Sequence, residues 1–245
     1  MTVGSLFAGI GGFDLGLERA GFEIKWQVEI DPFCRKVLEK HWPQVKRYED
    51  VRTVYWGNVE FVDVICGGFP CQDISQAGCR AGIDGERSGL WREMVAAIRI
   101  LRPRYIIVEN VSALLFRDMG TVLGDLASSG YDAEWECIPA SAFGAPILRN
   151  RVWVVAYPSE ELRLRTVFCG SFDAEGYGEG FKRVWAMLTA RRTGGRSPAD
   201  FRRLHAADGF SAELDAIAGF GNAVIPQAAE WIGRRILETE ERLKA

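Results

Sequence analysis

The sequence predicts an α/β protein in which a mostly parallel sheet is covered by helices and interrupted late in the chain by a small inserted domain. Three observations predict it. Short β-prone apolar runs alternate with helical periods through the first two-thirds of the chain. That alternation breaks at Tyr157-Pro158, and residues from there to about Ser211 carry Gly, Arg, Ser and Pro with weak periodicity. A helical period then returns from Gln227 to Leu243, just behind Pro226. The expected division is one body, residues 1–157 with 216–245, and an insert of residues 158–215.

Taken in order, Val3–Phe7 reads as a strand, followed by a glycine turn and a helix from about Phe13 to Ala20. Phe22–Val28 is a second strand. Asp31 caps a helix over Pro32–His41, with Pro32 in the first turn, where a missing N–H leaves no hydrogen bond unmade. Val62–Cys66 is a third strand. The amphipathic helix Leu90–Leu101 leads into the buried strand Tyr105–Val108. A helix near Gly120–Ser129 and strands at Tyr131–Ile138 and Val152–Ala156 follow. In the last helix Ala229, Ile232, Ile236 and Leu237 share one face, which predicts packing back onto the body. No repeat or low-complexity tract interrupts the chain.

Composition narrows the functional classes. A chain of 245 residues with 48% hydrophobic content suits a compact globular protein. No apolar run reaches the ~18 residues needed to span a bilayer. The N-terminal stretch Met1–Asp14 has neither a basic n-region nor a long apolar h-region, so a cytoplasmic protein is expected. The six cysteines, Cys34, Cys66, Cys71, Cys79, Cys137 and Cys169, form no C-x-x-C pair, and His41 and His205 are far apart. That spacing predicts no metal site and reduced thiols. The net charge of −3 is not that of a general nucleic-acid binder. Its distribution is uneven, however. Residues 181–205 hold seven Lys/Arg, among them Arg191, Arg192 and Arg196, against Asp200 alone. Such a stretch is either a solvated basic surface or a phosphate-facing patch.

Two constellations carry chemistry. The first is strand, then Ala8-Gly9-Ile10-Gly11-Gly12, then helix, a loop whose glycines let a ligand approach the backbone. The second strand ends at Glu29, 20 residues after Gly9, where a carboxylate can accept both hydroxyls of a ribose. Asp14 occupies the place of the third glycine in G-x-G-x-x-G. It would repel a pyrophosphate and tolerate a cationic cofactor. Asp50 could accept from an adenine amino group. A structural glycine turn with surface acids explains the same residues, because a glycine loop alone is weak evidence. The second constellation is Gly67-Gly68-Phe69-Pro70-Cys71-Gln72 after the third strand. It places a thiol on a stiff exposed loop at the carboxyl edge of the sheet, where ligands bind. Cys66, inside the strand, reads as core. Glu109, directly after the strand Ile106–Val108, reaches the same edge, and burial there would raise its pKa as a proton donor requires. A cap or ion pair is the structural alternative. Trp26 and Trp91 could wall a cofactor, with core packing the default.

Phe7-Ala-Gly-Ile-Gly-Gly12, Gly68-Phe-Pro-Cys-Gln72, Ser88-Gly-Leu-Trp91, Glu109-Asn-Val111, Arg149-Asn-Arg151 and Gly221-Asn-Ala-Val224 together resemble the ordered motifs of the cytosine-C5 DNA methyltransferases, in the compact phage or prophage form. The resemblance implies a Rossmann-like S-adenosylmethionine-dependent methyltransferase sheet with a small target-recognition domain at 158–215. It implies Cys71 as the nucleophile on cytosine C6, Glu109 holding and protonating N3, Arg151 at the cytosine O2, and Arg149 steadying the loop or the base. It carries cofactor contacts onto Phe7, Ala8, Gly9, Ile10, Gly11, Gly12, Glu29, Ile30, Asp50, Val51, Pro70, Leu90, Asn222 and Val224, with Asn222 also supporting the cytosine pocket. Contacts to double-stranded DNA fall on Gln72, Ser75, Arg191, Arg192 and Arg196, and a monomer is expected. The base must be flipped out of the duplex.

The chain departs from the pattern where Ile147 stands in place of the usual glutamine, and in a short recognition segment of about 55 residues that lacks a clear arginine-rich helix before Gly221. Three rival readings exist. An RNA cytosine methyltransferase is disfavoured because 158–215 contains no Cys-Phe-Thr tripeptide. A degenerate DNA-binding module would be free to lose Pro70-Cys71 and Glu109. A hydride-transferring dinucleotide enzyme is disfavoured by Asp14.

Overall fold

The computed structural model describes residues 1–70, 89–143, 149–161, 167–168 and 223–244. Their strands form one seven-stranded sheet: β1 (Thr2–Leu6), β2 (Glu23–Val28), β3 (Lys46–Tyr48), β4 (Val64–Gly67), β5 (Tyr105–Val111), β6 (Tyr131–Pro139) and β7 (Asn150–Pro158), in the spatial order β3-β2-β1-β4-β5-β7-β6. The first five in that row run parallel, whereas β7 is antiparallel to both β5 and β6. The α/β reading holds, with one strand of opposite direction. The helices are α1 (Gly12–Ala20), α2 (Pro32–His41), α3 (Leu90–Leu101), α4 (Leu114–Arg117), α5 (Met119–Ser128) and α6 (Pro226–Lys244).

Local chemistry explains most boundaries. Gly21, at φ 104, ends α1 in the left-handed region, which glycine enters without the steric cost of a Cβ. The Asp31 carboxylate accepts from Cys34 N at 2.9 Å and caps α2, as expected. Three boundaries correct the sequence reading. β3, three polar-rich residues at the sheet edge, was not expected. The third predicted strand begins at Val64 rather than Val62. β5 continues through Glu109 and Asn110 to Val111, because β7 pairs with it there, so Glu109 lies within the strand opposite Trp153.

The sheet separates two cores. One face packs Leu6, Ile65, Ile106 and Val108 against Trp91, Met94 and Ile98 of α3. The other packs Val3, Val64, Ile107 and Trp153 against Phe13 and Leu17 of α1 and Ile232 and Ile236 of α6. α6 returns to the body as its apolar face predicted. Its fit to α1 is close: a Cβ on Gly16 would lie 2.2 Å from the Pro226 carbonyl oxygen. No described helix is long and apolar enough to cross a membrane.

The chain is also anchored beyond β7. The Glu134 carboxylate on β6 accepts from the backbone N–H groups of Val167 and of Phe168, the latter at 3.1 Å. Arg235 of α6 donates to the Val167 carbonyl at 3.1 Å, and the Phe168 ring stacks on Trp231 with centroids 6.2 Å apart. Val167 and Phe168 are buried in the α6-side core. Pro158, Val167 and Phe168 thus pack with β6 and α6.

Candidate active site

Parallel strands leave their carboxyl ends on one edge, and the glycine loop, Glu29, the Phe69-Pro70 turn and Glu109 gather there. Backbone geometry builds the first part. After β1, Phe7 and Gly9 adopt φ of 53 and 55, and Gly11 adopts 88. Ala8 N donates to the Val28 carbonyl at 3.1 Å, and Gly11 N donates to the Ala8 carbonyl at 2.9 Å, which folds the loop back over β2. One Glu29 oxygen accepts from Gly9 N at 2.7 Å and the other from Asp31 N at 2.8 Å. Burial raises the Glu29 pKa, and these backbone hydrogen bonds pull it back. Each oxygen keeps a lone pair for a further donor.

The remaining expected cofactor positions fall in different settings. Ile30 presents a side chain that is 60% exposed beside Glu29. Asp50 holds Arg52, accepting from its Nε at 2.9 Å and its Nη2 at 2.7 Å. This ion pair lowers the Asp50 pKa. Val51 is buried in the core, and Phe7 and Leu90 are partly buried against the same cluster. Ile10 is half-buried, Pro70 is half-buried at the end of the described loop, and Gly12 lies so near Val224 that a Cβ would meet the Val224 carbonyl oxygen at 2.3 Å. The loop and the segment entering α6 thus touch. Trp26 and Trp91 are core residues. Their indole N–H groups donate to the Glu60 carbonyl and to Asp125, and each ring packs on another aromatic.

Asp14 is not a surface acid: it is 0% exposed, accepting from Gln27 Nε2 at 2.9 Å and Ser5 Oγ at 3.2 Å. It lies on the inward face of α1, three residues before Leu17.

The second part of the site centres on Glu109, which is 7% exposed. Burial drives its pKa up to about 7, against the pull of Arg151 and Arg149. Arg151 Nε lies 2.9 Å from a Glu109 oxygen. A Cβ on Gly68 would come within 3.3 Å of both the Glu109 backbone oxygen and its other carboxylate oxygen, so this loop passes close to the acid. Arg149 is half-buried, and its Nε has no partner among the described residues. Asn110, given no role from the sequence, donates from Nδ2 to the Phe69 carbonyl at 3.2 Å, while its Oδ1 accepts from Val111 N. It ties the loop that leads to residue 71 onto β5. Its signal was available, since an amide inside an apolar strand needs a partner. A cleft beside Glu109 and Arg151 is walled by Phe143, Trp153, Ile225 and Ala228. Cys71, Gln72, Ser75, Arg191, Arg192, Arg196 and Asn222 lie outside the described residues. Among the described residues no cluster of His, Cys, Asp and Glu could hold a metal ion.

Known proteins are similar in sequence and fold. The profile of the family "C-5 cytosine-specific DNA methylase" matches residues 1–188. The type II methyltransferase M2.BsuMI of Bacillus subtilis is 38% identical over 164 residues, covering 64% of this chain and 42% of its own length. M.Bsp6I of Bacillus sp. (strain RFL6) is 34% identical over 168 residues, covering 66% and 53%. The chain spans about half the length of the curated relatives it matches. Among solved structures, a prophage-encoded DNA modification methyltransferase of E. coli superposes with a TM-score of 0.57 at 27% identity, covering 68% of this chain and 49% of that one. With residues 1–188, about three-quarters of the sequence, inside the family profile, the chain belongs to the C-5 cytosine-specific DNA methylase family.

Proposed function

We propose that this chain transfers a methyl group from S-adenosyl-L-methionine to C5 of a cytosine flipped out of double-stranded DNA, leaving S-adenosyl-L-homocysteine. The observation that carries the reading is Glu109: a carboxyl that burial holds near neutral pKa, paired with Arg151, and brushed by the glycine turn leading to Cys71. In the reaction Cys71 Sγ, as thiolate, bonds to C6 and opens the C5=C6 double bond. Glu109 delivers a proton to N3, so the displaced electrons do not collect as a bare anion on the ring. Arg151 orients Glu109 and reaches the O2 side of the base. C5 then takes the methyl group. Loss of the C5 proton to a base re-forms the double bond and expels Cys71, and N3 returns its proton to Glu109. The cofactor supplies a methyl group made electrophilic by a sulfonium.

The residues present fit that cofactor. Nothing lies within 4 Å of the position a Gly9 Cβ would take, so the loop faces open space. The Glu29 lone pairs face that loop, and Ile30 offers an apolar surface for a base. Residues 158–215, with their basic window, are the target-recognition domain in this reading, and Asn222 and Val224 close the pocket. The protein would act as a monomer in the cytoplasm, one active site serving one flipped base.

The test is transfer of labelled methyl from S-adenosyl-L-methionine to unmethylated duplex DNA, with Cys71→Ser alongside and the products mapped base by base. Labelled cytosine C5 in the wild type alone supports the reading. If a protein that binds the cofactor labels no DNA, the DNA reading fails and RNA becomes the substrate to test.

A further inference from the structure

The tip of β2 meets an arginine that the proposed chemistry does not use. Arg35 lies one turn into α2, where its backbone N–H donates to the Asp31 carbonyl at 3.0 Å. Its side chain turns back over the strand end. Nη1 donates to the Ile30 carbonyl at 2.8 Å and to the Glu29 carbonyl at 3.3 Å. These carbonyls belong to the two peptide units that flank Ile30. The N–H ends of the same two units serve the Glu29 carboxylate: Asp31 N donates to it at 2.8 Å, and the Ile30 N–H also bonds to it. A trans peptide points its C=O and N–H in opposite directions. Both units therefore stand between the guanidinium and the acid, oxygen towards one and hydrogen towards the other.

An arginine this near a carboxylate ordinarily pairs with it directly. Among the described residues Arg35 makes one ion pair, and that is with Glu49, at 3.5 Å. Glu49 is mostly exposed, so this pair holds little. The guanidinium is spent on the backbone, and the Glu29 oxygens keep their remaining lone pairs. We propose that Arg35 is a positioning residue for the cofactor's ribose: it fixes the two peptides that aim the Glu29 carboxylate, and so gives that acid its hold on the ribose hydroxyls. This rests on the cofactor reading above. Without the guanidinium the two carbonyls turn towards water, their N–H groups swing off the carboxylate, and the acid regains its rotamers. Hydrogen bonds to hydroxyls weaken steeply with such a loss of aim. Contacts to the apolar face of the adenine do not depend on it.

The test is calorimetric binding of S-adenosyl-L-homocysteine, and of its analogue lacking both ribose hydroxyls, to wild type, Arg35→Met and Arg35→Lys. Wild type should prefer the parent by about 10- to 100-fold, as for hydroxyls donated to a carboxylate. Methionine keeps an apolar stem and removes the donors. In Arg35→Met the parent should lose about tenfold in affinity and the analogue less than about twofold, so the preference shrinks by about fivefold or more. Lysine reaches a carbonyl as a point charge without the planar fork, so Arg35→Lys should fall between. If parent and analogue weaken by the same factor, or neither changes, Arg35 only supports the turn and the proposal fails. If Arg35→Met does not fold, Arg35→Lys decides alone, and a wild-type preference there overturns it. If the parent does not bind wild type, the cofactor reading itself falls. If wild type binds both ligands equally, Glu29 does not hold the ribose, and that part of the reading falls with this inference. If the wild-type preference is present and survives in both variants, only this inference falls.

Discussion

The two halves of the sheet edge handle buried carboxylates in opposite ways. Around β1 and β2, Asp14 and Glu29 are held by neutral donors: a carboxamide, a hydroxyl and two backbone amides. Around β5 and β7, Glu109 meets a guanidinium and lies near a second. Neutral dipoles fix a shape and leave charge to be answered from outside. A cation beside an acid that burial has pushed near neutrality sets how readily a proton is given up. In the reading proposed above, the first half receives the cofactor and the second moves a proton.

The sharpest way to break this comparison is Glu109→Gln. It keeps the shape and removes the proton, so single-turnover methyl transfer should fall about 10²- to 10³-fold, with cofactor affinity changed less than about twofold. Unchanged turnover would return Glu109 to an ion-pair role. Thermal melts carry a second prediction from the same variant. The folded pKa of Glu109, about 7, lies above its ordinary 4.5. Its contribution is therefore fully present below pH 4.5 and lost as pH rises through 7, a swing of about 3 kcal/mol. Glu109→Gln removes that swing, so its melting temperature should gain on wild type between pH 5 and pH 8. The opposite trend would mean that Arg151 stabilises the ionised acid more than burial opposes it.

Smaller effects sharpen the picture. Gly12→Ala forces a Cβ against the Val224 carbonyl. It should cost about 1–3 kcal/mol in denaturant unfolding and weaken cofactor binding. A neutral result would mean that the segment entering α6 moves aside freely. Asn110→Ala releases the Phe69 carbonyl and should lower methyl transfer about tenfold with cofactor affinity intact, because it loosens only the loop that bears the nucleophile. Arg52→Ala removes a solvent-exposed partner from Asp50 and should shift stability by less than about 1 kcal/mol. A loss of more than that, or of cofactor affinity beyond twofold, would assign the Asp50–Arg52 pair to the binding site.

Much of this was legible in the sequence where residues punctuate the chain. Gly21, Asp31 and Pro32 place the ends of α1 and α2, and the apolar runs of β1, β2 and β5 place the parallel strands. What escaped is non-local. The antiparallel direction of β7 depends on its partners and leaves no local mark. β3 is a strand because β2 offers it an edge, and its residues Lys46-Arg-Tyr48 carry no apolar alternation. β5 extends through Glu109 and Asn110 because β7 completes their backbone hydrogen bonds, while their polar side chains suggest the end of a strand. Glu109 stands out in the sequence as an acid after a buried strand. The burial of Asp14 was not legible, since it depends on Ser5 and Gln27, which neighbouring strands bring to it.

The clamp beyond β7 has a consequence for how such a protein can change. Glu134, Arg235 and Trp231 grip the chain at 167–168, and the contact of Gly12 with Val224 grips it again as it enters α6. Both points lie on or beside one helix. Lengthening a tethered stretch costs free energy only logarithmically. The sheet and its chemistry can therefore stay constant while the intervening cassette is shortened, lengthened or exchanged by recombination, provided that each replacement plugs into the same two ends.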